Sequence, residues 1–265
     1  MLPLNAFPVE ALRAVRGVFC DIDDTLTTAG RLTAGAYAAI ERLHDAGIPV
    51  IPITGRPAGW CDHIARLWPV AAVVGENGAF YFRYDAARHS MKRGYADDAG
   101  ARAAHRARLE AIGAEILRAV PGCAVAADQA YRETDLAIDY REDVTPLPPA
   151  DVERIAALMR KRGLTAKVSS IHVNGWFGAY DKLAMTRRLM REAFEIDLDA
   201  ARAAWVFVGD SPNDSPMFDY FPYAVGVANV RDFAGRLEHE PKYVTRASAG
   251  AGFIELADFL LAVKT

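Results

Sequence analysis

Four short stretches hold the residues whose types and spacing suit chemistry: Asp21-Ile22-Asp23-Asp24-Thr25, Thr54-Gly55-Arg56, the lone Lys182, and Gly209-Asp210-Ser211-Pro212-Asn213-Asp214. Asp21 and Asp23 are two apart, so in an extended segment both side chains leave on one face, where one can attack while the other handles a proton. Asp21, Asp23, Asp210 and Asp214 gathered into one crevice would repel one another unless a hard cation neutralised them. An all-oxygen set with few ligands suits Mg²⁺ best. The Thr54 hydroxyl and the Lys182 ammonium could then hold the oxygens of a phosphoryl group, whose transfer is catalysed mainly by positioning and charge neutralisation. A single acid at a strand end is usually a helix N-cap. Four acids at two strand ends call for another account.

The elements around these stretches place them together. Residues 15–22 form an apolar run that ends abruptly in acids, as a buried parallel strand does. A helical segment at 33–46 follows, with Ala36, Ala39, Ile40 and Leu43 on one face and Gly47 in the place of a C-cap glycine. Residues 48–53 are a second apolar run ending at Thr54. Ile64, Leu67 and Trp68 then mark a helix before a third run at 70–74, which ends at Gly75-Glu76-Asn77-Gly78. Strand and helix in alternation predict a parallel sheet with crossover helices.

The rhythm then changes to a helix at 99–120, strands at 123–131 and 135–140, a helix at 150–162, and strands at 165–173 and 176–180 about an Asn174-Gly175 turn. These are two αββ units in tandem. After Asp181 the first rhythm returns, with a helix at 182–194, an apolar run at 203–208, a helix near 216–220, runs at 223–227 and 242–244, and a final helix at 252–263. The expected fold is therefore α/β, a doubly wound, Rossmann-like parallel-sheet core made of residues 1–83 and 181–265, with an inserted α+β domain at 84–180. Ligands of open parallel sheets bind beyond the carboxyl ends of the strands, which is where the chemical residues fall.

Taken in order, Asp21-Ile22-Asp23-Asp24-Thr25-Leu26, Thr54-Gly55-Arg56, Lys182 and Gly209-Asp210-Ser211-Pro212-Asn213-Asp214 resemble the four motifs of the haloacid dehalogenase superfamily. The tandem αββ insertion resembles the C2B, or IIB, cap of its Cof-like and sugar-phosphate phosphatase members, and Glu76-Asn77-Gly78-Ala79 resembles the same subgroup's pattern. The resemblance implies Asp21 as the nucleophile of an aspartyl-phosphate and Asp23 as acid and then base. It implies Thr54 and Lys182 on the phosphoryl group, with Gly55 and Arg56 beside it. Mg²⁺ would be held by Asp21, the backbone carbonyl of Asp23 and Asp210, with Asp214 in support, and Asn213 would orient the phosphate or the lysine. One departure is Asp24, which stands where the commonest first motif has Gly; its side chain is expected to cap the following helix or turn. The implied activity is a Mg²⁺-dependent phosphatase acting on a small phosphomonoester such as a sugar phosphate. The alternatives are a phosphomannomutase-like phosphosugar mutase and a phospho-acceptor or binding module without turnover.

The 265 residues carry a net charge of −3, which offers no basic field for a nucleic-acid backbone. Cys20, Cys61 and Cys123 have no zinc-site spacing and suit a reduced, cytoplasmic chain. No signal peptide or membrane-length apolar run is seen. The expected partner is a small phosphorylated metabolite, with no nucleic acid or membrane, and the chain is expected as a monomer or small homo-oligomer. The six histidines have no metal-binding spacing. Arg102, Arg106, Arg108 and Arg118, like the cluster at 187–191, read as solvated helix faces. Trp176, Phe177 and Tyr180 read as packing residues at the edge of a substrate pocket. Arg56 reads either as a substrate contact or as a structural ion pair.

Overall fold

The computed structural model describes residues 1–263. Its core is a six-stranded sheet, all parallel, in the order Leu2–Pro3, Tyr243–Val244, Val225–Gly226, Trp205–Gly209, Gly17–Cys20, Val50–Pro52. Every residue of Gly17–Cys20 and Trp205–Gly209 is buried, as apolar strands covered on both faces must be. Helices Ala34–Asp45, Ala58–Leu67 and Ala249–Leu261 contribute buried faces to the cluster on one side of the sheet. Lys182–Phe194 and Ser215–Tyr220 do so on the other. Thr33 caps the first of these helices by accepting from the Ala36 N–H, and Gly47 follows it at φ 72°.

Val73–Gly75 joins the core sheet through the parallel bridge Ile53–Val74. It then pairs antiparallel with Phe80–Asp85, which pairs in turn with Ser90–Tyr95. The expected boundary at residue 84 falls inside Phe80–Asp85. Phe80, Phe82 and Tyr95 belong to the core's apolar cluster, so the core sheet carries the chain through Tyr95 before the αββ units start. The alternation rule gave no sign of this hairpin, because Arg83, Lys92 and Arg93 interrupt its apolar pattern.

Two αββ units follow. Helices Ala99–Ala119 and Pro149–Lys161 cover a four-stranded antiparallel sheet ordered Thr165–Val168, His172–Trp176, Asp135–Asp139, Ala124–Val125. The expected turn at Asn174-Gly175 is not there; both residues lie within His172–Trp176, and the chain reverses at Ser169–Ile171. Gly175 serves packing instead. A Cβ at that position would stand 2.6 Å from Met159 Sδ and 3.0 Å from Leu164 Cδ1, so only glycine lets the helix lie this close. The strand expected at 123–131 shortens to Ala124–Val125 and gives way to a 3₁₀ turn at Gln129–Tyr131.

A candidate phosphoryl-transfer site between core and cap

The carboxyl ends of Gly17–Cys20 and Trp205–Gly209 are neighbours, which brings their acids together. The Asp21 N–H donates to the Val208 carbonyl at 2.9 Å, fixing the end of one strand against the other. Lys182, the first residue of its helix, reaches across with Nζ 2.6 Å from Asp21 Oδ1 and 2.7 Å from Asp214 Oδ1. Asp214 Oδ2 accepts the N–H groups of Asp210 and Ser211. Asp210 takes the Thr25 hydroxyl at 3.0 Å and the Asn229 amide at 3.3 Å. All four charged side chains are at most a few per cent exposed.

Oxygens of Asp21, Asp210 and Asp214 lie within 4.8 Å of one another. Burial pushes the Asp21 carboxyl up to about 8; Lys182 counters this, and Asp214 and Asp23 add to it. Burial and the Asp21 charge likewise raise Asp210. Three buried carboxylates face one ammonium, so charge balance asks for a further dication, and hard oxygen donors are what Mg²⁺ prefers. The residues fit the ion. The Asp23 carboxylate lies outside this trio.

Asp23 is held instead by Arg56, whose Nη2 is 2.8 Å from Oδ1 and whose Nε is 3.0 Å from both carboxylate oxygens. The same guanidinium bonds two acids of the inserted domain, Glu142 at 2.7 Å and Asp128 at 3.4 Å. Arg56 thus makes an ion pair that spans core and cap, and it also lines the cleft that holds Asp21. Asp139 presents Glu142 by accepting the N–H groups of Arg141, Glu142 and Asp143. His172 Nε2 stands 2.9 Å from Glu142 Oε2, although the angle there is not that of a hydrogen bond. Burial would raise the Glu142 carboxyl, but His172 and Arg56 outweigh it and hold it at about 2.

The Thr54 hydroxyl is buried and accepts the Arg56 N–H at 3.0 Å. The Gly55 carbonyl accepts from Arg132 at 2.9 Å. Asn213 accepts the Ser211 hydroxyl and, with Gly55, lines the narrow cleft where Asp21 and Asp23 meet Ser170 and His172 of the cap. Asp24 sits at φ 57°, in the left-handed region that favours glycine, which accounts for the usual glycine here. Its N–H donates to the Thr27 hydroxyl and its carbonyl accepts from Asn229. A turn, one of the two elements expected after Asp24, leads into the small hairpin Thr27–Thr28/Arg31–Leu32. Trp176 is buried and stacks on Tyr180, both edging a 140 Å³ cavity that also meets Lys182 and Asn213.

Sequence reasoning gives no role to Glu142, His172 or Asp128, because nothing in their spacing marks them, and it reads Asn174 only as a turn residue. Glu76 was noticed only as part of a pattern. It is wholly buried and accepts from the N–H groups of Ala58, Glu133 and Thr134 and from the Thr134 hydroxyl, joining a core helix to the cap. Its lone acid at the end of an apolar run was the available signal.

A parallel core with acids at adjacent strand ends is covered by an inserted antiparallel cap. Residues 18–102 match the family model of the haloacid dehalogenase-like hydrolases. A phosphoglycolate phosphatase of Methanosarcina mazei is 26% identical over 257 residues, covering 92% of this chain and 96% of its own. A Thermoplasma acidophilum structure superposes with a TM-score of 0.69 at 19% identity, covering 93% of this chain and 98% of that one. A sugar phosphatase described as of haloacid dehalogenase subclass IIB does so at 0.63 and 13%, covering 94% and 100%. Residues 18–102 are thus similar to the haloacid dehalogenase-like hydrolases, and over most of its length the chain is similar to proteins named as phosphatases. Among the described residues no helix is long and apolar enough to cross a membrane.

Proposed function

We propose that this protein is a Mg²⁺-dependent phosphatase that hydrolyses a small phosphomonoester, a sugar phosphate or related metabolite, through an aspartyl-phosphate on Asp21. The observation that carries the reading is the buried Asp21 carboxylate, 2.6 Å from Lys182 at the meeting point of two acid-bearing strand ends. In the first step an Asp21 oxygen attacks phosphorus, and the bond to the alcohol oxygen breaks as Asp23 gives that oxygen a proton. In the second, Asp23 takes a proton from water, whose oxygen attacks phosphorus and releases Asp21 and phosphate. Lys182 and the Thr54 hydroxyl hold the phosphoryl oxygens as charge shifts among them. Asp21, Asp210 and Asp214, with the Asp23 carbonyl, would hold Mg²⁺, which supplies positive charge to the phosphoryl group.

The cap closes over this cleft with Ser170 and His172 and supports a reaction in which water is kept from the first step. Phosphate release from a panel of phosphomonoesters, among them phosphoglycolate and sugar phosphates, each with Mg²⁺ and with EDTA, tests the reading. Metal-dependent turnover that falls at least a thousandfold in a folded Asp21→Asn variant is the expected result. Normal turnover by that variant would refute the nucleophile. Transfer to a sugar hydroxyl instead of water, seen by phosphorus NMR of the products, would make the enzyme a mutase.

A further inference from the structure

We propose that the cavity beside helix Ala58–Leu67 takes the leaving group of the substrate and selects alcohols that carry a flat, apolar ring. The inference rests on the phosphatase reading above and narrows its small phosphomonoester from the sugar phosphate named there to one whose alcohol carries a ring. The cavity holds about 520 Å³. Its walls are Trp60, Trp68, Tyr131, Ile22, Leu32 and Ile64. Trp60 is 42% exposed and Tyr131 59%, unusual for side chains of this size in a protein whose other aromatics are mostly covered. The two come from different bodies, Trp60 from the core helix and Tyr131 from the cap. They approach across Gly59, where a Cβ would lie 3.0 Å from that of Tyr131.

The inner end of the cavity is formed by Asp23 and Arg56, the same two residues that line the narrow cleft containing Asp21. The Arg56 guanidinium lies 4.5 Å from the centre of the Trp60 ring. Asp23, the proposed donor of a proton to the leaving oxygen, therefore borders both spaces. A phosphoryl group at Asp21 with its bridging oxygen at Asp23 directs the rest of the alcohol toward the aromatic walls.

The chemistry of those walls sets the class. Beyond Asp23 and Arg56, which satisfy each other, the polar groups of the lining side chains are those of Thr27 and His63, the Tyr131 hydroxyl and the N–H groups of the two indoles, all at the edges of apolar rings or walls. A polyol whose hydroxyls outnumber these groups would leave some unpaired, and each unpaired hydroxyl costs free energy. A carboxylate tail would meet Asp23, and the one arginine of the lining is already paired with three acids. A flat ring gains stacking area on Trp60 and Tyr131 at no such cost.

The test measures binding without turnover. Calorimetric titrations with Mg²⁺ compare 1-naphthylmethylphosphonate, which cannot be hydrolysed, with methylphosphonate in the wild type, Trp60→Ala and Trp60→Phe. Binding of the naphthyl compound about tenfold tighter than the methyl compound is expected, with the preference lost in Trp60→Ala and largely kept in Trp60→Phe. Equal affinities in the wild type, or a preference that survives Trp60→Ala, would overturn the pocket while leaving the phosphatase reading intact. A Trp60-dependent preference in a protein that hydrolyses no phosphomonoester would support the pocket and sink the phosphatase reading instead.

Discussion

Replacing Glu76 by glutamine isolates the joint between core and cap without touching the acids of the cleft. Glu76 Oε1 accepts the Ala58 N–H at 3.0 Å and the Glu133 N–H at 2.9 Å, and Oε2 accepts the Thr134 N–H at 2.7 Å together with the Thr134 hydroxyl. The NH₂ of a glutamine cannot accept. In its better orientation it faces Thr134, whose hydroxyl can turn to accept while its N–H is orphaned. One buried, unpaired N–H costs about 1–3 kcal/mol. The remaining bonds also lose their charge assistance, while burial of a charge is relieved. A net loss of about 2 kcal/mol is expected, a fall in Tm of about 4–8 °C for a chain of this size. Burial pushes the Glu76 carboxyl up to about 7, so the comparison belongs at about pH 8, where the wild type is ionised. Thermal unfolding gives the first number, and hydrogen exchange at the Glu133 and Thr134 amides locates it. A Tm within about 1 °C of wild type, with unchanged exchange at those two amides, would refute the reasoning.

Lys182→Met should lower kcat by about a hundredfold or more, because the phosphoryl group loses a charge partner, and phosphate-release kinetics measure this. Glu142→Gln tests a pH window. The folded carboxyl is depressed to about 2 from its ordinary 4.5, so its contribution to stability is full above about pH 4.5 and lost as pH falls toward 2. Urea unfolding should show the variant less stable than wild type at neutral pH, with the gap closing in acid. Gly175→Ala should destabilise by about 1–3 kcal/mol through the clash with Met159 and Leu164, and pairing it with Met159→Ala should recover part of the loss.

The motif residues were legible because the chemistry needs particular side chains at the ends of strands, and apolar runs announce where strands end. Lys182–Phe194 has the expected bounds, since Asp181 caps it and its apolar residues recur at helical spacing. The reverse at Asn174-Gly175 shows the limit of local rules. A turn dipeptide is also the pair that suits a strand where a small residue admits a helix and an amide reaches Asp135, as Asn174 does at 2.9 Å. Arg56 offered two readings, and the ion pair is visible only in the geometry, because its partners Glu142 and Asp128 lie 86 and 72 residues away in sequence. The hairpin after Gly78 was hidden for a related reason. It is anchored through Arg83, Lys92 and Tyr81 to Ala193 and Glu192 of the helix that returns from the cap, and no periodicity reports such distant anchors.

The joints between cap and core are unequal on their two sides. At residues 128–135 the cap is bolted down by Glu76 and by the buried Arg132, which also bonds the Gly55 carbonyl. On the other side Glu142 reaches the core at Arg56 alone among the bonds described above. Parting the cap from the core at Glu142 would break fewer of these bonds than parting it at Glu133, Thr134 and Arg132. The Glu142 side faces a cavity of about 710 Å³ flanked by Asp24, Arg141 and Arg236. An anion arriving there meets two guanidinium groups among four carboxyl groups, so this opening has no net attraction for it.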